Sequence, residues 1–171
     1  MDSAEYERKI ASRFAAFDQD GNGFIDREDF SGAAARLLAE FSTTPRCDKG
    51  QALYSGAEAF WQGMAGIADV DGDQRVSRQE FVTGAVKRLR DNPERFAEIA
   101  RPFLHAVIAV ADTDGQGVTT AAAARVLTVL GVSPALAAEA SRALDPDGDG
   151  RVREDDALKA FAAYYVTPEH P

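Results

Sequence analysis

Apolar residues return at three- and four-residue intervals along almost the whole chain, the spacing that lines up one face of an α-helix. Tyr6, Ile10, Phe14 and Phe17 form a first stripe, and Phe30, Ala33, Ala34, Leu37 and Phe41 a second. A polar run from Ser42 to Gln51, containing Thr43, Thr44, Pro45 and Gly50, reads as a connector. Leu53, Ala57, Phe60, Trp61, Met64 and Ile67 then predict a third helix, and Phe81, Val82, Ala85, Val86 and Leu89 a fourth. Asp91-Asn92-Pro93 has the grammar of a helix start, a capping side chain followed by proline where its missing N–H costs nothing. The fifth stripe, Phe96, Ile99, Phe103, Val107 and Ile108, contains Pro102, which is expected to kink it. A helix from about Thr120 stops near Gly131, and Ser133-Pro134 caps the next, which carries Leu136, Ala140 and Leu144. Leu158, Phe161, Tyr164 and Tyr165 mark a last helix before the tail V-T-P-E-H-P. Eight helices predict an all-α fold.

Four of the polar gaps between these stripes carry carboxylates at alternating positions. They begin at Asp18, Asp69, Asp112 and Asp145 and run for twelve residues each: 18–29, 69–80, 112–123 and 145–156. A hard cation such as Ca²⁺ takes six to eight oxygens at about 2.4 Å. Carboxylates alternating along a tightly turning backbone, with a last oxygen returning from the following helix, supply that shell.

Each loop departs somewhere from the strict pattern D-x-[DN]-x-[DN]-G-x₅-E. Loop one offers Asp18, Asp20 and Asn22, a Phe24 carbonyl, Asp26 directly or through water, and Asp29 as the return ligand. Asp29 is one methylene shorter than Glu, which weakens calcium and favours the smaller, six-coordinate Mg²⁺ as a competitor. Loop two keeps Asp69, Asp71, Asp73 and Glu80, with Arg75 offering a carbonyl and Ser77 able to hold a water. Its flaw is Gln74 where the chain turns through positive φ, a cost of roughly 1–2 kcal/mol without glycine. Loop four has Asp145, Asp147, Asp149, an Arg151 carbonyl with the guanidinium expected outward, and Asp156 in place of Glu, again open to Mg²⁺. Arg153 sits where a fifth ligand would be and cannot coordinate a cation. Loop three begins with Asp112, Asp114, Gln116 and Gly117 but has Ala123 at the return position and Thr119 in place of the apolar β residue. It is expected to bind no metal and to support loop four.

Helix–loop–helix units built on such loops resemble EF-hands from end to end of the chain. Loop starts separated by 51, 43 and 33 residues are similar to sarcoplasmic calcium-binding proteins and their bacterial calerythrin-like relatives. The resemblance implies four EF-hand units in two pairs, 1–91 and 92–171, packed into one compact body with short β contacts between paired loops. It implies a calcium buffer or transporter holding three Ca²⁺ ions; the alternative is a calcium sensor that regulates a protein target. A sensor opens an adaptable, often methionine-lined groove, whereas this chain has two methionines, one of them Met1.

Composition sharpens this picture. The carboxylates named above at ligand positions are half of the 28 acidic residues, so the net charge of −9 is concentrated where cations would sit. That balance argues against nucleic acid as a partner. No run approaches the roughly 18 apolar residues of a membrane span. The polar N-terminus and the single Cys47, which cannot form an intrachain disulfide, fit a cytoplasmic monomer. Arginine outnumbers lysine 15 to 4, a bias consistent with a bacterial source. His105, His170, Cys47 and Trp61 are expected to be structural or inert, with no catalytic constellation among them and no enzymatic activity.

Overall fold

A computed structural model describes residues 3–87 and 91–165. Its helices are α1 (Ser3–Phe17), α2 (Arg27–Glu40), α3 (Asp48–Ala68), α4 (Arg78–Glu80), α5 (Pro93–Ala111), α6 (Thr120–Val129), α7 (Pro134–Ala143) and α8 (Glu154–Tyr165). A π-helical stretch, Phe81–Val86, continues α4. Two-residue strands join the loops in pairs: β1 (Ile25–Asp26) runs antiparallel to β2 (Arg75–Val76), and β3 (Val118–Thr119) to β4 (Arg151–Val152). The expected all-α fold with short loop-to-loop β contacts is the observed one.

The predicted stripes become the core. Ile10, Leu37, Leu53, Phe60, Trp61, Met64 and Phe81 are each at most 2% exposed. Phe60 stands at the centre, its ring 5.0 Å from Phe30, 5.6 Å from Phe17 and 6.0 Å from Phe103. Side chains of this size contribute about 1.5–3 kcal/mol each on burial. One buried cluster runs from Tyr6 to Val152, so the residues flanking all four loops share a core.

Glycines decide how closely the long helices approach. A side chain at Gly56 would lie 2.8 Å from the Pro102 carbonyl oxygen and the Phe103 Cα, and one at Gly63 would strike Ile99. These two glycines, seven residues apart on one face of α3, let α5 lie directly on its backbone. Pro102 is accommodated within α5.

Three expectations need correction. The connector is shorter than Ser42–Gln51, because α3 already starts at Asp48; Gly50 is a buried helix residue pressed on the Thr44 and Pro45 carbonyls. Ser133 precedes α7 without a capping side-chain bond. The buried face of α7 is Ala137 and Ser141, while Leu136 is 59% exposed and Ala140 is exposed. Small residues let α7 sit close on α6, and the Ser141 hydroxyl donates to the Ala137 carbonyl at 2.7 Å, which satisfies it inside. Leu89 and the tail lie outside the described residues, as do the side chains of Phe96, Phe161, Tyr164 and Tyr165.

Candidate metal centres

Loops one, two and four are each wound by their first aspartate. Asp18 accepts the N–H groups of Asn22 (3.2 Å) and Gly23 (2.9 Å), Asp69 those of Gly72 (3.1 Å) and Gln74 (3.0 Å), and Asp145 those of Asp149 (3.2 Å) and Gly150 (2.7 Å). The wrap needs positive φ at the sixth position, and Gly23, Gln74 and Gly150 all have it. Gln74, at φ +67°, adopts the strained conformation expected of it.

The winding brings carboxylates together. One oxygen each from Asp69, Asp71, Asp73 and Glu80 lies within 4.8 Å of the others, as do those of Asp18, Asp20 and Asp29, and those of Asp145, Asp147 and Asp149. Loop two thus assembles all four of its carboxylates. Loop one assembles three: Asp26 instead caps α2, accepting the Asp29 N–H at 3.2 Å, and meets the Asn22 amide at 3.5 Å. Ser77 caps α4 in the same way, accepting the Glu80 N–H at 3.1 Å. Asp156 is outside the loop-four cluster. Arg153 is not idle there: its Nη2 meets Asp147 at 3.0 Å and Asp149 at 3.6 Å, an internal cation over two of the three gathered carboxylates.

The two return carboxylates differ in how readily they ionise. Glu80 accepts the Ser77 N–H at 3.0 Å and the Val70 N–H at 2.8 Å. Burial pushes it up, but these backbone donors outweigh burial and hold it below its ordinary range. Asp29 accepts two N–H groups as well, yet is 2% exposed; burial pushes it up to about 7. A divalent cation would supply the opposite charge that favours its ionised form. The converging oxygens, with Asp29 buried among them, fit a hard cation, with Asp18, Asp20 and Asp29, Asp69, Asp71, Asp73 and Glu80, and Asp145, Asp147 and Asp149 as the gathered donors.

Loop three departs further than its sequence predicts. In the first pair Ile25 faces Val76, the eighth residue of each loop. In the second, Val118 faces Val152, so the seventh residue of loop three stands opposite the eighth of loop four. Loop three is therefore one residue short. Val118, not Thr119, takes the apolar β place. Thr119 is the helix cap, accepting the Ala122 N–H at 3.0 Å as Asp26 and Ser77 do for Asp29 and Glu80. The return position is thus Ala122 and not Ala123, and neither can coordinate. Asp112 loses its wrap: its Oδ1 is buried with no hydrogen-bond partner.

Arg151 is a second correction. Its guanidinium does not point outward but enters loop three, where Nη1 donates to the Gly117 carbonyl at 2.8 Å and Nη2 reaches Asp114 at 3.2 Å. Sequence reasoning also missed the partner of His105, Glu154 at the start of α8, and the role of Cys47, whose thiol caps α3 by accepting the Gly50 N–H at 3.4 Å. That bond, first among its causes, lowers the thiol below its ordinary range.

Comparison with known proteins agrees with this geometry. The model of the EF-hand domain pair matches residues 7–86. A Streptomyces coelicolor calcium-binding protein, solved as the structural basis for prokaryotic calcium-mediated regulation, is 66% identical, with a TM-score of 0.93 over 96% of this chain and 99% of that one. Calerythrin of Saccharopolyspora erythraea is 26% identical over 167 residues, 96% of this chain and 94% of calerythrin. Calcium-loaded apo-aequorin from Aequorea victoria shares the fold at 17% identity and a TM-score of 0.74, over 98% of this chain and 93% of that one. The chain belongs to the EF-hand calcium-binding proteins. Within them it is of the calerythrin type, and calcium is its ligand. Among the described residues no helix is long and apolar enough to cross a membrane.

Proposed function

We propose that this protein is a cytoplasmic, monomeric calcium buffer or transporter. It holds three Ca²⁺ ions, in loops 18–29, 69–80 and 145–156, and none in the third loop. Phe24, Arg75 and Arg151 lend carbonyls, Asp26 and Ser77 act directly or through water, and Asp156 completes loop four by moving in with its helix. Mg²⁺ competes where Asp29 and Asp156 close the shell. Residues 1–91 and 92–171 serve as two EF-hand pairs sharing one core, and the protein neither catalyses a reaction nor binds nucleic acid.

The observation that carries the buffer reading is the closed core. Met64 is fully buried, and among the described residues Val70 and Leu136 are the large apolar side chains left exposed. A sensor needs an apolar surface to offer its target. One observation favours that second reading: the 66%-identical Streptomyces protein is described as acting in calcium-mediated regulation. Fluorescence of the dye ANS on adding calcium to the calcium-free protein separates them. A buffer leaves the signal flat or lowers it; a several-fold rise establishes the sensor and directs the search to a protein target.

A further inference from the structure

We propose that the Arg151 guanidinium is the resident cation of loop three, holding that loop in its wound form without metal. It deepens the reading of the C-terminal pair as a one-ion unit, and the test below separates its failure from failure of that reading.

The geometry is that of a filled site. Two nitrogens of one guanidinium fork onto Asp114, Nη1 to Oδ1 at 3.4 Å and Nη2 to Oδ2 at 3.2 Å, while Nη1 also takes the Gly117 carbonyl at 2.8 Å. A charged planar fork on a carboxylate and a carbonyl replaces, in kind, the oxygen contacts of a metal. The side chain is about one-third exposed. Its methylenes pass Gly117, where a Cβ would meet them at an ordinary contact distance of 3.8 Å; it is the φ of +102° that calls for glycine there. The Gln116 N–H, and after it Arg151, hold the Asp114 carboxyl below its ordinary range.

The N-terminal pair provides an internal control. Arg75 occupies in loop two the place that Arg151 occupies in loop four, yet it stays out of loop one. Its guanidinium lies 4.1 Å from the centre of the Phe24 ring and reaches Asp73 of its own loop at 3.6 Å. Phe24 is the seventh residue of loop one, the position at which loop three is short. The helix cap faces the arginine in both pairs, Asp26 opposite Arg75 and Thr119 opposite Arg151. The difference therefore lies in the missing residue, which removes the aromatic lid and admits the guanidinium. Loop three has lost its return carboxylate and gained a cation from its neighbour.

The test is amide hydrogen exchange by NMR on the calcium-free full chain, comparing wild type with Arg151→Gln, Arg151→Lys and Asp114→Asn. These substitutions keep the Arg151 backbone carbonyl. In wild type the β3–β4 amides are expected to be protected without calcium. Arg151→Gln and Asp114→Asn should each speed their exchange about tenfold, the scale of a charge-assisted hydrogen bond, with β1–β2 unchanged. Arg151→Lys should recover part of the protection, which a purely steric role would not. Free-peptide exchange in wild type, or unchanged exchange in both variants, overturns the proposal. Adding calcium to wild type should shift the Gly150 amide and leave Gly117 nearly still. A Gly117 shift as large as that of Gly150 also overturns the proposal, whereas an unmoved Gly150 instead overturns the reading of loop four as a calcium site.

Discussion

The Asp29 carboxylate accepts the backbone N–H of Asp20 at 3.1 Å, nine residues back along the chain, so loop one is closed by its own return ligand. Burial holds that carboxyl at about 7, while Glu80, its counterpart in loop two, stays below its ordinary range. The same structural role is filled by two groups whose proton affinities burial and backbone donors push in opposite directions.

A difference in pH dependence follows. Below about pH 7 calcium must expel a proton from Asp29, so loop-one affinity should fall towards tenfold per pH unit there and level off above it. Loop two should stay flat between about pH 6 and 8. The calcium-free protein should show the opposite trend. The folded state keeps the Asp29 proton to about 7, where the unfolded chain loses it near 4, so raising the pH through that window lowers stability. Calorimetry in two buffers of different ionisation enthalpy would detect the released proton. An equal proton count at about pH 6 and 8 would contradict the assignment.

Side-chain length at the return position should set metal preference. Asp29→Glu and Asp156→Glu are expected to tighten calcium and weaken magnesium competition, and Glu80→Asp to do the reverse. Competition titrations read this directly. No change in Asp29→Glu would remove the argument from chain length.

Arg153 pairs with Asp147 and Asp149 and is expected to compete with calcium for them. Its side chain is two-thirds exposed and screened, so Arg153→Ser should strengthen loop four only about two- to fivefold. The gain should shrink as salt is raised. A weakened loop four would mean that the guanidinium organises the site and does not obstruct it.

The helices and loops were legible because period and carboxylate spacing are local properties of the chain. The shortened third loop was not. Asp112, Asp114, Gly115 and Gly117 keep its first six positions in frame, and the missing residue falls where Val118-Thr119-Thr120 offers no marker. The one clue was Thr119, a good helix cap before an alanine-rich helix, standing one place too early. The direction of Arg151 follows from that deletion and from the cross-loop register, so one loop's sequence could not give it. Hydrophobicity also misassigned the buried face of α7. Leu136 is more apolar than Ala137, but the close seat on α6 selects the small residue.

Metal and fold should be coupled. Without cations, three clusters each hold at least three carboxylates with ligand oxygens within 4.8 Å, a repulsion that a bound divalent ion relieves. At a hundredfold excess over Kd each site adds about 2.7 kcal/mol to a folded state that alone binds it. A rise of more than ten degrees in melting temperature is expected on adding calcium, followed through Trp61, which is 1% exposed. Melting within a few degrees of the loaded form would instead describe a preformed scaffold.

The count of ions tests the central claim most directly. Calorimetric titration of the calcium-stripped full chain, paired with a calcium-bound crystal structure, should give three ions, in the Asp18, Asp69 and Asp145 loops. A fourth ion in the Asp112 loop, or an Asp145 loop that stays empty at saturating calcium, would contradict it.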